Sequence, residues 1–107
     1  MDHYQALYRE TARYVNKVIR RKAITTKMIQ RWVEDAKRIK QTKGTVGLVS
    51  HYKRLYKQVL TEQEIERLKH SARKTELSFR LIDVLVEEKV LTAIQAKWAK
   101  QYVTRSS

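Results

Sequence analysis

The chain has 107 residues, 42% of them hydrophobic, with no cysteine, no proline and only two glycines. Such a chain is long and apolar enough for one domain, which excludes a disordered segment, a disulfide scaffold and a thiolate metal site, and it has too few turn residues for a β-rich fold. The net charge is +13, from 24 Lys and Arg against 11 Asp and Glu, and a self-repulsion of that size points to a polyanionic partner.

The first helix is expected from about Asp2, as its cap, to Arg21. Tyr4, Leu7, Tyr8, Thr11, Val15, Val18 and Ile19 recur at three- and four-residue steps as an apolar stripe. Arg9, Arg13, Lys17 and Arg21 recur every four residues on another face. Thr25 then caps a second helix, with Ile24 and Ile29 placed as a hydrophobic staple across it. Its inner stripe is Met28, Ile29, Trp32, Val33, Ala36 and Ile39, and "TKGTVG" closes it in a loop at Gly44 and Gly47. A third helix spans about Leu48 to Val59, with Leu48, Tyr52, Leu55, Tyr56 and Val59 inward.

The strongest local signal is "LTEQEI". Thr61 and Glu64 are spaced as a capping box, and Leu60 and Ile65 as a staple. Ile65, Leu68, Ala72, Thr75, Phe79, Ile82 and Val86 then keep helical spacing, which predicts one long helix over about 62–88. A break near Thr75 followed by a strand in "LSFRLIDVLV" is the competing reading, disfavoured because the alternation fails at Ile82. Thr92 and Gln95 start a last helix with Ile94, Trp98 and Tyr102 inward, and the tail "TRSS" is expected to fray. Val18, Thr26 and Trp32 match Val84, Thr92 and Trp98 at an offset of 66, a faint sign of duplication. The fold class is therefore all-α, a single-domain bundle of four to five helices over 1–107, with a basic half (1–60) and a near-neutral half (61–107).

The charge is lopsided. Between Arg13 and Lys57 fourteen basic residues are opposed only by Glu34 and Asp35, so nearly the whole excess lies there. The candidate nucleic-acid-binding residues are Arg13, Lys17, Arg20, Arg21, Lys27, Arg31, Arg38, Lys53, Arg54 and Lys57. They would act mainly on phosphates, Arg through its fork and Lys as a point charge. The turn at "RRKAITTKMIQRWV" resembles helix-turn-helix units in generic outline, and Thr25, Thr26, Lys27, Gln30 and Arg31 would then reach the groove, although the usual glycine is missing. Trp32 and Trp98 sit on apolar stripes and read as core, whereas Tyr52 and Tyr56 beside Lys53, Arg54 and Lys57 are the better stacking candidates.

No catalytic motif is apparent. His3, His51 and His70 lie on separate predicted elements, with no ligand spacing around them, no phosphate loop and no nucleophile elbow. The expectation is a non-enzymatic protein without metal or cofactor that binds DNA or RNA, as a subunit or accessory factor of a nucleoprotein complex. Residues 62–103 would then serve core packing or self-association. The alternative is a helical adaptor, inhibitor or immunity-type protein whose basic face docks an acidic protein or an anionic membrane. The membrane ranks last, because the first helix is rich in tyrosine and short of Leu and Phe. No apolar run approaches the roughly 18 residues of a membrane span, and "MDHYQALYRE" lacks the apolar core of a signal peptide, so the expected location is cytoplasmic.

Overall fold

The computed structural model describes residues 4–105. It has five helices, α1 (Gln5–Ile19), α2 (Thr26–Val59), α3 (Glu62–Lys69), α4 (Lys74–Glu87) and α5 (Ala93–Arg105), and no strand among the described residues. The all-α bundle read from the sequence is the fold observed. Asp2, His3 and the last two residues of the tail lie outside the described range, so the Asp2 cap is not seen. α1 opens after Tyr4 and closes at Arg20, which takes the left-handed conformation (φ 63, ψ 34) usually given to glycine.

α1 is the central element, packing on α2, α3 and α4, while α5 lies on α4. The larger core joins Leu7, Tyr8 and Ala12 of α1 to Ile24, Ile29, Val33, Leu77 and Val84, with Trp32 packed against its edge. Tyr8 is 1% exposed, and burying such a side chain contributes on the order of 2–3 kcal/mol. Thr11 is buried too, and its hydroxyl donates to the Leu7 carbonyl at 2.8 Å. A smaller core gathers Ala36, Leu48 and Val90, with Ile39, Tyr52, Leu85 and Leu91 around it.

The turn between α1 and α2 is held by Asn16. Its side-chain oxygen accepts from the amides of Ala23 and Ile24, both at 3.0 Å, and its nitrogen donates to the Ile24 carbonyl at 2.8 Å. Thr25 caps α2 as expected, accepting from the Met28 amide at 3.1 Å. The expected loop at "TKGTVG" is not a loop. α2 continues through it, and the only departure from helical geometry is Gly44 (φ 68, ψ −167), which kinks α2 into an arm over 26–43 and an arm over 45–59. The predicted third helix is the second of these arms. Its Leu48 is buried, but Tyr56 is exposed rather than inward.

The long helix expected over 62–88 is broken in two. The Thr61–Glu64 capping box forms in both directions and starts α3, yet α3 ends at Lys69 and α4 begins at Lys74. No glycine or proline marks the break. It is fixed from outside, by the Tyr14 hydroxyl of α1, which accepts the Arg73 amide at 3.0 Å, and from inside, by the Ser71 hydroxyl donating to the Leu68 carbonyl at 2.7 Å. The break turns the inward face of α4 to Leu77, Ile82 and Val84 and leaves Ala72 exposed. The competing reading thus placed the interruption better, though α4 is helix and not strand.

α5 starts as predicted, with Thr92 and Gln95 exchanging bonds of 3.0 and 3.2 Å. Its expected inward stripe faces solvent instead. Ile94, Trp98 and Tyr102 are 63%, 64% and 72% exposed, and the buried residue of this helix is Ala96. The two tryptophans paired by the 66-residue offset thus occupy different environments. No helix among the described residues is long and apolar enough to cross a membrane.

Candidate nucleic-acid interface

Arg9, Arg13 and Lys17 follow one another at four-residue steps, about 6 Å apart along the axis of α1. Spacing like charges this way costs a helix a few tenths of a kcal/mol per pair. Together with Arg20 they line a groove of about 850 Å³ between α1 and the Ala72–Arg73 turn. No carboxylate of the described residues pairs with any of these four. The one acid in the groove, Glu10, is already engaged by Arg73 and, at 3.1 Å, by Arg80. Arg73 foremost, then Arg80, holds its carboxyl below the ordinary carboxylate range, although partial burial pulls the other way. Arg73 in turn binds Glu76 at 3.0 Å and lies 5.8 Å over the Tyr14 ring. The groove therefore has a wall of unpaired cations beside a network whose own charges are matched.

The ten candidate residues are not brought into one cluster. Arg13, Lys17 and Arg20 share this groove. Arg21 stays on the surface but folds back onto α3, where its guanidinium grips both Glu64 oxygens at 2.6 and 2.8 Å and the Val59 carbonyl at 2.8 Å. That bond is the main reason the Glu64 carboxyl sits at about 2, helped by the Thr61 amide and opposed by burial. Lys27 and Arg31 are exposed on the first arm of α2 without ion-pair partners among the described residues. Arg38 pairs with Asp35 at 2.9 Å. Lys53, Arg54 and Lys57 are exposed on the second arm, past the Gly44 kink.

Of the stacking candidates, Tyr56 is exposed and Tyr52 is mostly covered. Burial, with the Asp35 charge second, pushes the Tyr52 hydroxyl up to about 12. Trp98 was expected in the core and is on the surface. The side chains that selection by charge density overlooked are Arg9, Asn16 and Tyr14. Arg9 was visible as the first member of the four-residue series, whereas nothing in sequence marks Asn16 and Tyr14 as the clamps that set the two turns beside the groove. His51 Nε2 is buried without a partner, His70 lies 3.6 Å from Glu66, and among the described residues no three His, Asp or Glu side chains gather as metal ligands.

Comparison of the chain with known protein families, with curated proteins and with solved structures gave no match.

Proposed function

We propose that the protein binds nucleic acid without catalysing a reaction, holding the phosphate backbone along the α1 groove. The observation that carries this reading is the row Arg9, Arg13, Lys17 and Arg20, which gives up helix stability to like-charge spacing and has no carboxylate partner among the described residues. A solvated helix face would carry interleaved acids, as α3 does with the exposed Glu62 and Glu66 beside Arg67. Phosphate supplies the missing counter-charge, and release of its counterions supplies the affinity. The exposed Lys27, Arg31, Lys53, Arg54 and Lys57 extend the positive field on α2 and steer the polyanion. None of these contacts reads base sequence, because neither Arg nor Lys discriminates while it is on phosphate.

The test is a salt series. Labelled DNA and RNA of about 20 nucleotides, single- and double-stranded, are titrated by anisotropy between about 50 and 300 mM salt, and four phosphate contacts give a log–log slope of roughly −3 to −4. Replacing Arg13, Lys17 and Arg20 with Gln lowers that slope by two to three, about one per cation removed. The same substitution at Lys89, Lys97 and Arg105, which remove equal charge from elsewhere on the surface, leaves it within one. Absence of binding at the lowest salt, or equal effects of the two triple variants, overturns the reading.

A further inference from the structure

The largest exposed hydrophobic side chains among the described residues fall on two elements only: Val46, Val49 and Tyr56 on the second arm of α2, and Ile94, Trp98 and Tyr102 on α5. Between these elements, over α3 and α4, runs a groove of about 700 Å³. Val49, Tyr52 and Tyr56 line it from the arm, Ile65 and Leu68 from α3, and Tyr102 from the end of α5. The volume is that of a binding cleft rather than a packing defect, and an apolar surface left open to this extent marks a place where something docks.

The charge of the rim selects the occupant. Lys53, Lys69 and Lys74 line the groove and no carboxylate does. Lys69 has only a loose contact with Glu66, at 3.5 Å, and Lys74 donates to the Val103 carbonyl at 2.8 Å, which ties the end of α5 to the groove wall. Arg54 and Lys57 stand exposed on the same arm. A second copy of this chain is a poor match, since its exposed apolar stripe lies on a helix that carries Lys97 and Arg105 and no acid, and the neighbouring Asp83 is already engaged by Lys100 at 2.7 Å. A nucleic-acid strand is a poor match too. Its bases would have to lie on the aliphatic Ile65, Leu68, Leu85 and Leu91, which give the floor no aromatic face to stack on. What fits is an apolar ridge with negative flanks.

We propose that this groove is the docking site for an amphipathic helix of a partner protein, apolar at positions i, i+3/i+4 and i+7 and acidic on both sides of that stripe. The aliphatic floor and the tyrosines take the apolar ridge, and Lys53 and Lys69 on the rim pair with the acids, fixing orientation and raising the on-rate. The site is separate from the α1 groove, so a partner and a polyanion are held at once.

The probe is a fluorescein-labelled helical peptide of about 16 residues with Leu and Trp at three- and four-residue spacing and Glu on the flanks, compared with a peptide of the same composition whose pattern is scrambled. Saturable binding of the patterned peptide, at least about tenfold tighter than the scrambled one, is expected. The double substitution V49S/Y56S, at two side chains already exposed, weakens binding by about tenfold or more without lowering the melting temperature. K53E also weakens it, whereas R13Q/K17Q/R20Q leaves it unchanged, which keeps the outcome independent of the α1 reading. Equal binding of the scrambled peptide, no binding, or no effect of V49S/Y56S overturns the proposal. So does a concentration-dependent dimer in sedimentation that V49S/Y56S abolishes, which would assign the groove to a second copy. Loss of single-stranded DNA binding in V49S/Y56S would equally overturn it, by assigning the groove to nucleic acid.

Discussion

Replacing Gly44 with Ala asks whether the kink in α2 is held by the backbone or merely tolerated. Gly44 sits at φ 68, ψ −167, and a Cβ built there meets nothing within 4 Å. The penalty is therefore conformational and not steric, and a side-chain-bearing residue in that region costs on the order of 1–3 kcal/mol. Ala returns about 0.4–1 kcal/mol by restricting the unfolded chain, so the net loss centres on about 1.3 kcal/mol and reaches at most about 2.6 if the kink persists. The molecule has one escape, which is to straighten α2. That route gains up to about 1 kcal/mol of helix propensity. It withdraws Leu48, 4% exposed, from the smaller core, a loss of roughly 2–3 kcal/mol. It also breaks the Lys40–Thr45–Gln95 bonds that tie the kink to α5. Both routes give a destabilised protein, with a melting temperature lower by roughly 4–10 °C. Urea titration at neutral pH measures it by linear extrapolation. Gly47→Ala is expected to destabilise as well, because its Cβ would lie 2.4 Å from the Lys43 Cβ. A Gly44→Ala protein as stable as the parent, or more stable, refutes the reasoning and means that residues 26–59 prefer a continuous helix.

The Arg21–Glu64 pair predicts an acid limb. The folded pKa of Glu64, about 2, lies below its ordinary 4.5, so the ionised carboxylate stabilises the fold above about pH 4.5, and the contribution fades as pH falls toward 2. Urea midpoints measured across that range should fall less steeply in Glu64→Gln than in the parent, and an unchanged slope would exclude the pair as a source of acid sensitivity. Arg20 and Lys89 both hold left-handed backbone, at φ 63 and 62, and Gly at either position should stabilise by about 0.5–1 kcal/mol. Only R20G should also weaken nucleic-acid binding, since Arg20 lines the α1 groove and Lys89 does not; equal binding by the two variants would count against that groove.

Most of what is local was legible. The Thr25 cap, the Thr61–Glu64 box and the Thr92–Gln95 start each need only residues three apart, and all three form. The row Arg9, Arg13, Lys17 was legible as a helix face. Two periodicity arguments failed, for different reasons. The stripe over 62–88 kept helical spacing, but Tyr14 captures the Arg73 amide from another helix and Ser71 closes the preceding turn. The α5 stripe has ideal spacing as well, yet no element among the described residues covers that side, and the helix packs on α4 with Ala96 buried.

Sequence alone determined the helical class, the starts of α2, α3 and α5 and the lopsided charge, because these depend on composition and on contacts within one turn. Tertiary structure decided the rest. It determined which cations keep their charge uncompensated, since Arg21 met Glu64 across 43 residues while Arg13 and Lys17 have no carboxylate partner among the described residues. It also determined which apolar faces stay open, since burial depends on what packs opposite a helix, and a helix's own periodicity carries no record of that.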